Sequence, residues 1–103
     1  MAAEAYNRGG IDDGLAQEFL NQVRRRAFGD DNHDISASGT ALTDAIWEER
    51  KFELSLEGHR FFDLVRTGQA ASKISGFVAG KHEVLPIPQT EIDISGLTQN
   101  PGY

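Results

Sequence analysis

Glu49, Glu53 and Glu57 recur every fourth residue and are flanked by Arg50 and Arg60 in a stretch of helical composition, Ala41 to Arg66. Acids at that spacing share one face of a helix, and paired carboxylates are the acid and base of glycoside hydrolysis. The surroundings argue against that chemistry. Each glutamate has an arginine within one helical turn, which keeps a carboxylate ionised, whereas a general acid needs a raised pKa. Acids on one face of one helix also leave little room for a sugar between them. Projected at 3.6 residues per turn, the arc holding these charges also holds Leu42, Ile46 and Leu64, with Leu54, Leu56 and Phe61 at its margins. A charge among apolar neighbours is costly unless it is paired and hydrogen-bonded. Spacings of three supply the pairs: Arg50 with Glu53, Glu57 with Arg60, and Asp63 with both Arg60 and Arg66. The expectation is a partly buried structural network of Glu49, Arg50, Glu53, Glu57, Arg60, Asp63 and Arg66, with no catalytic residue. The alternative is a solvated face whose pairs contribute about 0 to 1 kcal/mol each.

Other candidate chemistries are weaker. Asp30, Asn32 and Asp34 alternate as calcium ligands do in an EF-hand, but Ile35 stands where that loop needs glycine and Ala41 where it needs a bidentate Glu. His33, His59 and His82 fall at no metal-ligand spacing, and no Walker loop, nucleophile elbow or dinucleotide fingerprint occurs. No metal or cofactor is expected. Tyr6, Trp47, Phe61, Phe62, Phe77 and Tyr103 could stack on sugar rings, although aromatics at helical spacing more often belong to a core. Arg24, Arg25 and Arg26 read as complements to the carbonyl end of a helix, with an anion site as the alternative.

The elements that must position these residues follow from local chemistry. Met1 to Arg8 reads as a helix stopped by Gly9-Gly10, and it starts without a capping residue, as a helix cut in mid-stride would. Asp12 is an N-cap for a second helix with the stripe Leu15, Ala16, Phe19, Leu20, Val23 and Ala27, stapled by Ile11 onto Ala16 and ending near Phe28-Gly29. Residues 29–40 are a polar loop. Residues 41–68 form a long central helix in which Gly58 marks a kink or break, and Thr67-Gly68 ends it. Residues 69–103 are a connector and a tail: prolines at 86 and 88 force Leu85 and Ile87 into extended geometry, and Pro88 or Gln89 starts a short turn of helix through Ile92 to Ile94. The fold class is mainly α: a tetratricopeptide-like helical hairpin in residues 1–28, one long central helix, and an extended proline-containing tail. One hairpin is too little for a repeat array, which needs about three units. It must therefore rest on the central helix, on segments outside this sequence, or on another copy.

Composition narrows the function. The 103 residues allow at most one small domain, and the net charge of −6 disfavours phosphate backbones and anionic membrane surfaces, so no nucleic-acid partner is expected. No run of about 18 apolar residues is present. The absence of cysteine excludes disulfides, thiolate ligands and a cysteine nucleophile.

Two motifs carry a resemblance. Trp47-Glu-Glu-Arg-Lys-Phe-Glu-Leu-Ser-Leu-Glu-Gly-His-Arg-Phe-Phe-Asp-Leu-Val-Arg-Thr-Gly68 resembles the ER-x-x-EL-x-x-EG-x-R-x-x-DL-x-R-x-G signature of the SusD/RagB family. Leu85-Pro-Ile-Pro-Gln-Thr-Glu-Ile-Asp, followed by Gln99-Asn-Pro-Gly-Tyr103, is similar to that family's C-terminal L-P-I-P-x-x-E-I-D…QNPGY. The resemblance implies the C-terminal segment of a Bacteroidetes-type surface lipoprotein of the outer membrane, non-catalytic and held by a lipid anchor upstream of these residues. It implies an oligosaccharide ligand and a SusC-like TonB-dependent transporter as partner, with a glycan site built mostly from other parts of the protein. It also implies that the tail packs back on the body through Val84, Leu85, Ile87, Ile92 and Ile94. An autonomous helical interaction module, able to self-associate, and a glycoside-acting enzyme are the competing readings.

Overall fold

The computed structural model describes residues 1–103 and is mainly helical: α1 (Ala2–Arg8), α2 (Asp13–Phe28), α3 (Gly39–Glu53), α4 (Arg60–Arg66), α5 (Ala70–Lys73) and α6 (Gln89–Ser95), with no strand. It divides into two compact units, Met1–Glu57 and Gly58–Tyr103.

In the first unit the punctuation acts as the sequence predicts. A Cβ at Gly9 would lie 2.7 Å from the Ala5 carbonyl oxygen, so only glycine lets the chain leave α1 this tightly. Asp12 caps α2 by accepting the Leu15 N–H at 3.0 Å, and Gly29 closes it in left-handed geometry, φ 82°, donating its N–H to the Arg25 carbonyl. Helices α1, α2 and α3 enclose a core of Ala3, Ala16, Leu20, Leu42 and Ile46, with Tyr6, Ile35, Ala37 and Ala45 packed against it. Only part of the predicted α2 stripe is inside: Leu15 is 43 % exposed and Ile11, the intended staple, 70 %.

The core is small because polar residues share it. Glu4, Asn7 and Asn21 are all buried. The Asn7 carboxamide donates to Asp13 Oδ1 at 2.7 Å and to the Gly39 carbonyl at 3.0 Å, and accepts from Thr43 Oγ1, joining all three helices. Trp47 Nε1 donates to Glu4 at 3.0 Å. Asn21 accepts the Ile35 N–H at 2.8 Å and donates to the Ile35 carbonyl at 3.0 Å, while Gln17 donates to the Ala37 carbonyl. Side-chain amides thus do for the extended residues 35–37 what a neighbouring strand would do.

The predicted long central helix over 41–68 is divided. Helix α3 begins at Gly39 and ends at Glu53, residues 54–59 form turns, and α4 begins at Arg60. Two left-handed residues explain the break: Gly58 at φ 77° and Leu56 at φ 68°. Glycine takes that geometry freely, but leucine there is strained, and Leu56 is fully exposed. A single helical projection therefore does not extend past Glu53.

In the second unit Leu64 and Ala70 are buried, and a row of rings runs Phe62, Phe61, Phe77, His82 with centroid separations of 5.7, 6.3 and 5.7 Å. Pro88 precedes α6, as expected. Leu85 and Ile94 remain 83 % and 81 % exposed, whereas Ile87 and Ile92 are half-buried.

Candidate functional site

Of the charged network singled out by sequence, Glu49 and Glu53 meet the C-terminal half of α2. Arg24 Nη1 donates to Glu49 Oε2 at 2.5 Å, with side chains only 19 % and 12 % exposed. The same guanidinium donates through Nε to the His33 carbonyl at 2.6 Å and lies 5.3 Å over the Phe28 ring, which stacks in turn on His33 at 4.0 Å. Arg26 pairs with Glu53 at the surface. Arg25 faces Asp34, both carboxylate oxygens 3.0 Å from Nε, and also reaches Glu18 at 3.2 Å. The arginine triplet is thus distributed over α3, the loop and α2 itself.

Glu49 and Glu53 therefore take their partners from α2. Arg50 points to Met1, 3.2 Å from its sulfur, and Asp63 accepts from Arg66 at 2.8 Å within α4. Glu57 lies exposed in the break and Arg60 opens α4, so the helical spacing that would join them is absent. The structure brings Glu49 and Glu53 onto one helix face, leaves Glu57 in the break and places Arg60, Asp63 and Arg66 beyond it. Sequence reasoning missed Arg24 and Arg26 as partners, and missed Glu4, Asn7 and Asn21 entirely. Polar side chains inside an alanine-rich amphipathic helix were the available signal for Glu4 and Asn7.

Beside these pairs a groove of about 570 Å³ opens between the three helices, lined by Phe19, Leu20, Val23, Ile46, Glu49 and Glu53 among others. Hydrogen bonds set the electrostatics of several charged groups outside the groove. The Gly39 N–H and the Asn7 carboxamide hold Asp13 below the usual carboxylate value, and His33 with the Asn32 N–H does the same for Asp30. In the second unit the Gly80 N–H lowers Glu83, and in the first the Asp34 carboxylate raises Arg25. Lowered carboxylates are held as anions, the opposite of what a general acid requires. No cluster of three or more acidic or histidine side chains is arranged to hold a metal ion.

A model of the SusD family matches residues 1–83. The chain belongs to the SusD/RagB family. Among curated relatives, SusD-like protein P2 of Formosa agariphila is 31 % identical over 120 aligned positions, covering 100 % of this chain and 24 % of the relative. SusD-like protein P25 of the same organism is 30 % identical over 94, covering 78 % of this chain and 18 % of that protein. The chain thus spans a quarter or less of the relatives it matches. No solved structure matches it. The SusD-type signature runs through α3, the break and α4, and its Glu49 and Glu53 are the acids joined to α2. No helix is long and apolar enough to cross a membrane.

Proposed function

We propose that this chain is a bracing segment of a SusD-like glycan-binding lipoprotein. The whole protein holds oligosaccharide at the outer surface of the outer membrane and passes it to a SusC-like TonB-dependent transporter; the lipid anchor lies outside these residues. The segment does no bond-breaking chemistry. Glu49 fastens α3 to α2 from the inside and Glu53 pairs with Arg26 at the surface; Arg50, Glu57, Arg60, Asp63 and Arg66 are the remaining charged positions of the signature.

One observation carries this reading: the signature carboxylate with the least exposure, Glu49, is closed by Arg24 across two helices and is not open in a cleft. A retaining or inverting glycosidase needs two carboxylates facing each other across a sugar, one of them protonated. Family membership supports the carbohydrate-binding class.

The test compares this 103-residue chain with its complete reading frame against a panel of oligosaccharides by calorimetry and by product analysis. The proposal expects binding by the complete protein, none by the segment, and no shortened glycan from either. Release of shortened sugars by either form would overturn it.

A further inference from the structure

The tail resolves a problem that Leu85-Pro-Ile-Pro88 creates for itself. Pro86 and Pro88 carry no N–H and hold their predecessors extended, so between Leu85 and Gln89 the only main-chain donor is Ile87. No strand lies beside it. Gln99 supplies both partners: its Oε1 accepts the Ile87 N–H at 2.8 Å and its Nε2 donates to the Ile87 carbonyl at 2.9 Å. The next residues continue along the same segment. Asn100 Nδ2 donates to the Leu85 carbonyl at 2.6 Å, and Tyr103 Oη donates to the Val84 carbonyl at 3.0 Å.

The reach of Tyr103 depends on the turn between. Tyr103 N–H returns to the Asn100 carbonyl at 3.4 Å, with Pro101 at the second position and Gly102 at φ 86° in the third, the geometry of a type II turn. Gly102 is favoured by its left-handed φ, and a Cβ there would lie 3.0 Å from the Lys81 side chain, which would have to shift. Lys81 Nζ in turn sits 4.6 Å over the Tyr103 ring.

We propose that Gln99–Tyr103 is a clasp that replaces the missing sheet neighbour of residues 84–87, and that it opens and closes as one local unit without disturbing Met1–Glu57. The four side-chain hydrogen bonds from Gln99, Asn100 and Tyr103 are all made to main-chain atoms of 84–87, so the clasp depends on the extended path that the prolines impose and not on the side chains of that segment.

Amide hydrogen exchange on the full 103-residue chain tests this at two reporters, the Ile87 N–H in the clasp and the Ile35 N–H held by Asn21. Gln99→Glu keeps the acceptor and removes the donor, and deletion of Tyr103 removes the far end. Each is expected to speed Ile87 exchange by roughly tenfold, the equivalent of one net hydrogen bond, while Ile35 exchange stays within about twofold of the parent. Unchanged Ile87 exchange in both variants would overturn the clasp. Equal acceleration of Ile87 and Ile35 would overturn its independence.

Discussion

Asn21 and Gln99 perform the same act in different surroundings. Each turns its carboxamide onto the N–H and C=O of a single isoleucine, Ile35 or Ile87, standing in for a strand. Asn21 is buried inside a three-helix unit, whereas Gln99 is half-buried in a unit whose buried apolar residues are only Leu64 and Ala70. The difference teaches where polar residues are indispensable. Ile35 and Ile87 are both half-buried, so the difference lies in the carboxamide: Asn21 is itself enclosed, whereas Gln99 remains within reach of water. The same contrast separates the two ion pairs of the signature, Arg24–Glu49 inside and Arg26–Glu53 outside.

The comparison yields graded expectations. Arg24→Ala leaves Glu49 nearly enclosed without its cation and should destabilise the chain by about 3 kcal/mol in urea unfolding. Asn21→Leu removes an enclosed carboxamide together with both of its bonds to Ile35 and should cost about 2 kcal/mol, against less than about 1 kcal/mol for Gln99→Leu. Equal costs for those two would erase the distinction between the units. Leu56→Gly should stabilise by about 1 kcal/mol, because it relieves a left-handed leucine that buries nothing. Arg26→Ala at the exposed pair should change stability by less than about 0.5 kcal/mol.

Acid should act on both units in the same direction. Asp13, Asp30 and Glu83 have folded pKa values below their unfolded ones, so the stability they add is present above the unfolded value and is lost as pH falls through the folded one. Thermal melting temperatures should therefore fall below about pH 4, and Asn7→Ala should flatten the part due to Asp13.

Much of the fold is legible in the chain because its signals are local. Asp12, Gly29 and the paired glycines set helix ends within a few residues, and the two family motifs need no tertiary information. The central helix expected over 41–68, with a kink or break at Gly58, becomes two helices: Gly58 was legible as the weak point, whereas the left-handed Leu56 that widens the break is decided by how the chain must turn. Helical spacing counts ion-pair partners along one helix only. Arg24 and Arg26 lie 25 and 27 residues from their glutamates, a separation that only packing closes. Aromatic residues at helical spacing carry no label of core or surface: Phe61, Phe62 and Phe77 join one ring cluster, yet Phe62 stays 68 % exposed.

A double-mutant cycle on Arg24→Ala and Glu49→Ala, read by urea unfolding, addresses the fastening of α3 to α2 most directly. A coupling of about 2 kcal/mol between the two sites is the predicted result for a pair shielded from water. Additive losses, with coupling below about 0.5 kcal/mol, would show that the signature glutamate is not a fastener and would return Glu49 to the pool of residues open for chemistry.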